Sequence, residues 1–175
     1  MIYVIVILFL FKDEILNGIK DLKKNFNNRI NLAIKCWFFG CLVMMISSFI
    51  ISLILKEDTS KNEALVREGI KLAPIYMLFT CSFVAPIFEE MVFRKSINIF
   101  MKNKYIFIIL SGLLFGLLHI IGNINSPLDF LYIIPYGSMG CAFAYLLSQT
   151  NNITLPIMLH MIHNTILVIA QFIRG

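Results

Sequence analysis

The sequence predicts an all-α protein, a polytopic membrane helical bundle with five full spans plus a short N-terminal apolar helix. Apolar side chains make up 59% of its 175 residues and charged ones only 14%, whereas soluble domains are about 45–50% apolar. Most apolar residues fall in runs of about 20, the length that a helix needs to cross a bilayer. The net charge of +5 is concentrated in short segments beside these runs, which favours a membrane protein over one that binds nucleic acid.

The N-terminal region combines a short apolar segment with a basic one. Met1–Phe11 is apolar, but it lacks the basic start and the small-residue cleavage site of a signal peptide. We interpret it as a shortened or tilted membrane helix. Phe11–Lys35 is basic and partly amphipathic, which predicts a segment along the cytoplasmic interface. The five runs of spanning length are Cys36–Leu55, Ala73–Phe93, Tyr105–Gly122, Phe130–Leu147 and Ile153–Ile173.

Two parts of the chain are expected to differ in role. Residues 1–72 hold the N-terminal membrane helices, the basic interfacial segment and a charged loop, and residues 73–175 hold the motifs described below. Basic clusters before Cys36 and after Phe93 predict a multi-pass protein of the cell membrane with these ends in the cytoplasm. The four cysteines show no metal-binding spacing, so they are expected to be small apolar side chains.

Two adjacent carboxylates, Glu89 and Glu90, interrupt the second full span. A charge at the bilayer centre costs about 2.5–3.5 kcal/mol, so we expect this pair to face a protein interior or a wet cavity. Arg94 lies four residues after Glu90 and therefore on the same helix face. The pattern EExxxR predicts that Arg94 pairs with Glu90 and leaves Glu89 free for chemistry. The simpler alternative is a set of charges at the cytoplasmic membrane edge.

All three histidines lie on the third and fifth full spans. His119 ends the pattern FxxxH and follows Gly112 and Gly116, a GxxxG pair that predicts close packing on another helix. The fifth span carries the polar residues His160, His163 and Asn164. The first and last of these are four residues apart and share a helix face, in the pattern HxxxN. Taken alone, each set is also typical of polar contacts that join membrane helices.

Together these residues suit the hydrolysis of a peptide bond without a covalent nucleophile. Ionisable groups inside a membrane usually converge on one site or pathway. A carboxylate and an imidazole in a shielded cavity can activate a water molecule as general bases. A second imidazole and a carboxamide can donate hydrogen bonds to the developing oxyanion. No serine, threonine or cysteine of the sequence lies in GxSxG or another recognised nucleophile motif.

The ordered motifs FEEMVFR, FGLLH and HMIHN resemble those of the CPBP intramembrane proteases, also called the CAAX-protease and bacteriocin-processing (Abi) family. The resemblance covers about residues 73–173. It implies an all-helical membrane protease whose site opens to the cytoplasm and whose substrate is a peptide or a membrane protein. By position, it implies that Glu89 activates the water together with His119, and that His160 and Asn164 stabilise the oxyanion.

Members of this family are often described as metalloproteases, which raises the question of a zinc ion. Its ligands would be Glu89, His119 and His160, with water in the fourth position. The helical zinc motif HExxH is absent from the sequence. Zinc bound to Glu89 would also leave Glu90, the supporting acid held by Arg94, as the general base. The resemblance therefore favours a protease of the glutamic type without a metal cofactor.

Two functions other than proteolysis stay open. A non-catalytic bacteriocin immunity or membrane scaffold protein would use the same polar residues to bind a partner. A small transporter or proton relay would use Glu89 and the histidines, but the sequence lacks the internal repeat that is common in transporters. His163 matches no motif position, and we interpret it as a residue that supports the site.

Overall fold

A computed structural model describes residues 2–57 and 59–174, except for the side chain of Arg174. Met1, where the first predicted helix begins, and Gly175, where the second predicted part ends, lie outside the described residues. The described chain is helical and has no β-strand, which confirms the all-α class. The helices are α1 (Ile2–Leu10), α2 (Lys12–Lys24), α3 (Phe26–Leu55), α4 (Lys61–Leu72), α5 (Pro74–Phe100), α6 (Lys104–Ile120), α7 (Ile133–Thr150) and α8 (Thr154–Arg174).

Four membrane-spanning segments meet the length and composition of a span within the described residues. They are α3, α5, α8 and the stretch Pro127–Thr150, in which a 3₁₀ helix (Pro127–Tyr132) runs into α7. The expected count of five full spans is not supported, because α6 has only 17 residues. A helix of this length is about 25 Å long, less than the roughly 30 Å of the hydrocarbon core. Helix α6 ends at Ile120, because the backbone of Ile121 is extended and that of Gly122 is in the left-handed region.

The basic N-terminal segment divides into two helices rather than forming one interfacial element. The chain bends at Asn25, and the residues from Phe26 onwards already belong to the 30-residue helix α3. Helix α2 is amphipathic and packs on the turn between α7 and α8. There the Asn152 side-chain amide donates to the carbonyl oxygen of Gly18 and to the carboxylate of Asp21, both at 2.9 Å. The contact is close, since a Cβ atom at Gly18 would collide with Thr154.

Helices α6 and α7 approach each other closely, as the GxxxG pair predicts. A Cβ atom at Gly116 would lie 2.6 Å from the carbonyl oxygen of Ile133. The partner helix also contributes a glycine, since a Cβ atom at Gly140 would lie 2.9 Å from the Cα atom of Gly112. Backbone therefore meets backbone at this contact, and bulkier side chains are excluded from it.

The two predicted parts of the chain share a core. One buried cluster joins side chains from both of them and consists of Leu22, Ala33, Cys36, Leu146 and Leu155. The outward face of α3 is apolar and exposed at residues such as Phe38, Phe39 and Phe49. Such a face suits contact with lipid. The assignment of different roles to residues 1–72 and 73–175 stays a prediction.

Candidate active site

Both carboxylates lie on a short α-helical stretch of α5, Ala85–Glu90. This stretch is flanked by two π-helical segments, Thr80–Val84 and Met91–Ser96. A π-helical segment changes the direction in which the following side chains point, and such segments are frequent at functional sites. The length and composition of this span predict a regular helix and give no sign of these π-helical segments.

The predicted ion pair between Glu90 and Arg94 is present, and it is completely buried. Nε of Arg94 lies 3.2 Å from Oε2 of Glu90, and both side chains are 0% exposed. The guanidinium also lies over the rings of Phe115 and Phe143, at 4.3 and 5.5 Å from their centroids. This burial argues against the alternative of charges at the membrane edge, because such charges would be in contact with water.

His160 lies between the two carboxylates. Its Nδ1 atom is 2.8 Å from Oε1 of Glu90, and its Nε2 atom is 3.7 Å from Oε2 of Glu89. Because a carboxylate only accepts, Nδ1 carries the proton of the shorter contact. Arg94 thus forms an ion pair with Glu90, Glu90 accepts a hydrogen bond from His160, and this buried group presents the imidazole to Glu89. The contact between His160 and Glu90 was not predicted from the motifs.

His119 lies one helical turn beyond Phe115, whose ring centroid is 5.7 Å from that of His160. Nδ1 of His119 is 2.8 Å from the carbonyl oxygen of Phe115. Since a carbonyl oxygen only accepts, Nδ1 carries the proton and Nε2 keeps its lone pair. In the part of the chain that the structure describes, no ion pair within 4.0 Å joins His119 to Glu89. Phe115, the aromatic residue of FxxxH, lies against the rings of both His119 and His160.

Asn164 binds the backbone of α5 instead of the carboxylates. Its Nδ2 atom donates to the carbonyl oxygen of Cys81 at 3.0 Å. In this π-helical segment the N–H of Ala85 bonds to the carbonyl five residues earlier. The next bond of that series would need an N–H at position 86, which is a proline. Asn164 therefore satisfies a carbonyl that Pro86 leaves free, and one further N–H of its amide is still available.

His163 lies on the other side of α8, against α3. Its Nδ1 atom accepts a hydrogen bond from Nε1 of Trp37 at 3.2 Å, and Cys41 Sγ lies 3.9 Å from the same nitrogen. The side chain is buried. His163 thus joins α8 to α3 and, in this arrangement, touches neither glutamate through an ion pair among the described residues.

A cavity of about 540 Å³ reaches two of the predicted site residues, His119 and Asn164. Tyr136 and Cys81 also line its inner part, whereas Glu89 and His160 are not among its lining residues. Its outer part is bounded by α4 and by the C-terminal ends of α3 and α8, with Glu57 among the residues there. Its volume is within the range of about 300–1,000 Å³ that is typical of ligand pockets.

The cavity lies toward the C-terminal end of α3. Its outer part lies at the end of α3 near Leu55, whereas the basic helix α2 lies near the start of α3 at Phe26. A straight helix of 30 residues is about 45 Å long, so these two ends are on opposite sides of a membrane.

The three predicted zinc ligands do not fit a metal site in this arrangement. Among residues 2–57 and 59–174, no group of three His, Cys, Asp or Glu side chains is placed to hold a metal ion. Nε2 of His160 lies 3.7 Å from Oε2 of Glu89, whereas no ion pair within 4.0 Å joins His119 to either glutamate among these residues.

One aromatic residue beside His119, Tyr136, is not predicted by any of the motifs. Tyr136 on α7 stacks on the His119 ring, with centroids 4.5 Å apart and an interplanar angle of 21°. Tyr136 follows His119 by 17 positions and belongs to none of the three motifs, so only the packing of α6 on α7 identifies it.

Comparisons with known proteins show similarity to membrane peptidases. A family model described as "Type II CAAX prenyl endopeptidase Rce1-like" matches residues 71–166. The chain is 33% identical over 115 residues to "Putative membrane peptidase YdiL" of Bacillus subtilis (strain 168), an alignment that covers 64% of this chain and 43% of the relative. It is 30% identical over 150 residues to "Membrane-embedded CAAX protease MroQ" of Staphylococcus aureus (strain USA300), covering 77% and 57% of the two chains.

The chain spans about half the length of the curated relatives it matches. No solved structure matches it. The family match nevertheless extends over more than half of the chain and contains EExxxR, FxxxH and HxxxN in order. The chain therefore belongs to the CPBP family of intramembrane proteases, through its Rce1-like, type II CAAX prenyl endopeptidase group.

Proposed function

We propose that this protein is an intramembrane endopeptidase that hydrolyses a peptide bond in a peptide or a membrane-associated protein. The observation that carries the proposal is the buried group of Arg94, Glu90 and His160, which ends at the carboxylate of Glu89. A protein pays several kcal/mol to bury such charges. Their convergence on one half-buried carboxylate, in a chain of a membrane-peptidase family, supports a catalytic role.

In the proposed reaction Glu89 acts as the general base. It takes a proton from a water molecule, and the oxygen of that water attacks the carbonyl carbon of the scissile bond. The resulting oxyanion collapses, the C–N bond breaks, and Glu89 returns the proton to the leaving amine. Glu89 suits this role because its side chain is 16% exposed, whereas that of Glu90 is 0% exposed. Glu90 positions His160 and does not touch the substrate.

Two side chains are proposed to stabilise the oxyanion. His160 can donate from Nε2 when its imidazole is charged, because Glu90 already accepts the proton on Nδ1. Asn164 can donate the amide N–H that does not bind Cys81. The Nε2 lone pair of His119 is proposed to accept a hydrogen bond from the attacking water. His119 and Asn164 line the cavity, which is the proposed binding site for the substrate.

The proposal assigns the protein to the glutamic type, because the chemistry above needs no metal ion. Cleavage by purified protein is therefore expected to persist in an excess of a strong chelator. Loss of cleavage in the chelator and its return with zinc would overturn this assignment. We also propose that α6 enters the membrane from the basic end as a fifth, shorter helix, since α7 packs along it.

Membrane peptidomics of cells that express the wild-type protein or Glu89→Gln tests the proposed function. We expect peptides that depend on the wild-type protein to disappear in the variant, because removal of a general base typically costs about 10²–10⁴-fold in rate. Glu68→Gln, a carboxylate of α4 outside the cavity lining, is the matched control and should leave these peptides unchanged. Equal peptide patterns for wild type and Glu89→Gln would favour the alternative, a non-catalytic immunity or scaffold protein.

A further inference from the structure

Tyr136 connects His119, which is proposed to bind the attacking water, to the start of α4. Its ring stacks on the imidazole at 4.5 Å, nearly parallel to it. Its hydroxyl group lies 2.6 Å from Oγ of Ser60, the N-cap residue of α4. The side-chain amide of Asn62 donates to the same hydroxyl group at 3.4 Å. Tyr136, Ser60 and Asn62 all line the cavity together with His119.

The His119 ring is held on three sides in this arrangement. The carbonyl oxygen of Phe115 binds Nδ1 and so determines which nitrogen carries the proton. The Phe115 ring lies on one side, at 4.5 Å between centroids, and Tyr136 lies against the ring as well. Rotation of the imidazole about its χ2 angle would break the stack with Tyr136. The stack therefore holds the plane of the ring, and the hydrogen bond from Nδ1 to Phe115 excludes the flipped ring, so that Nε2 points in one direction.

We propose that Tyr136 is a positioning residue for peptide hydrolysis, which holds the His119 imidazole by stacking and links it to α4 through its hydroxyl group. This inference rests on the proposed function. The aromatic ring is the part that orients His119, and the hydroxyl group is the part that ties the ring to Ser60. Tyr136 acts through His119 and does not itself exchange a proton with the substrate.

The ring and the hydroxyl group can be separated by two substitutions. We expect Tyr136→Leu to lower kcat by about 10- to 100-fold with little change in KM, since a displacement of about 1 Å at a catalytic group can cost 10²-fold. Tyr136→Phe keeps the stack and should retain kcat within about threefold of wild type. Tyr145→Leu removes an exposed aromatic ring from the same helix and should retain wild-type kcat.

The coupling to α4 has its own test. Ser60→Ala and Tyr136→Phe each remove one partner of the same hydrogen bond, so their effects on kcat should not add in the double variant. Additive effects would overturn the proposed link. A Tyr136→Leu enzyme with wild-type kcat, or a Tyr136→Phe enzyme as slow as Tyr136→Leu, would overturn the role of the stack.

A readout that does not depend on activity distinguishes this inference from the proposed function. In detergent-solubilised protein with labelled histidine, the ring protons of His119 should show a ring-current shift in the NMR spectrum of wild type and Tyr136→Phe. The shift should be smaller in Tyr136→Leu, in which only the Phe115 ring still lies against His119. If the protein cleaves nothing but shows this pattern, the proposed function fails and the placement of His119 by Tyr136 stands. If the shift is equal in all three proteins, the placement fails.

Discussion

Arg94 shows how a single residue can serve the site without approaching the substrate. Its guanidinium is fully buried between Glu90 and two aromatic rings. Removing one member of a buried ion pair leaves the other charge without compensation, which is more costly than losing an exposed pair. The residue therefore holds Glu90, and through it His160, by charge rather than by apolar packing.

We predict that Arg94→Ala lowers the stability of the protein by about 3–5 kcal/mol, because Glu90 is left buried and uncompensated. Thermal unfolding in detergent measures this difference. Arg67→Ala is the matched control: Arg67 pairs with Glu63 at the same i,i+4 spacing, but both side chains are more than one-third exposed. An exposed pair contributes about 0–1 kcal/mol. Equal loss in the two variants would contradict the buried-charge explanation.

The motif spacing was sufficient to predict the Glu90–Arg94 pair, because positions four apart on a helix are neighbours whatever surrounds them. The contact of His160 with Glu90 spans 70 positions, and no local rule relates them. The resemblance placed Asn164 beside His160 at the oxyanion. In the structure one of its N–H groups binds the Cys81 carbonyl that Pro86 leaves free, and the other is available for the proposed contact with the oxyanion.

Among the helices, α6 and α7 determine where His119 lies. Their glycine contact brings the two backbones together, and this places the His119 ring over Tyr136. The shortness of α6 has a related consequence. His119 lies next to the last residue of a 17-residue helix, so the helix ends at the depth of the site.

We predict that Gly116→Ala destabilises the protein, because the new Cβ atom would meet the carbonyl oxygen of Ile133 and backbone atoms cannot move aside as a side chain can. Gly69→Ala is the control within α4. Its Cβ atom would meet only the end of the flexible Met77 side chain, and alanine improves helix propensity by about 1 kcal/mol. The two melting temperatures should therefore move in opposite directions. A neutral Gly116→Ala would show that α6 and α7 can separate without cost.

At the scale of the whole molecule, charge and cavity lie at opposite ends. The exposed lysines of α2 are at one end of the bundle, and the outer part of the cavity is at the other. The positive-inside rule then makes the basic end cytoplasmic. We therefore predict that substrate enters from the extracytoplasmic side, whereas the family resemblance predicts a site that opens to the cytoplasm.

Single cysteines at the two ends test this orientation. A membrane-impermeant maleimide should label Glu57→Cys in intact cells and should label Lys23→Cys only after permeabilisation. Both positions are exposed in the structure, whereas the four native cysteines are buried or half-buried, so the parent protein provides the background. The opposite labelling pattern would show that the cavity opens to the cytoplasm.

The sequence alone was sufficient to predict a helical membrane protein and the pairing of Glu90 with Arg94. These properties follow from composition, run length and spacing along one helix, which are local. Three features are visible only in the tertiary structure. His160 bridges the two glutamates, Tyr136 stacks on His119, and the cavity lies away from the basic helix α2. These features depend on how separate helices pack. The packing involves the close backbone contact between α6 and α7 and the hydrogen bond from Asn164 to the Cys81 carbonyl that Pro86 leaves free.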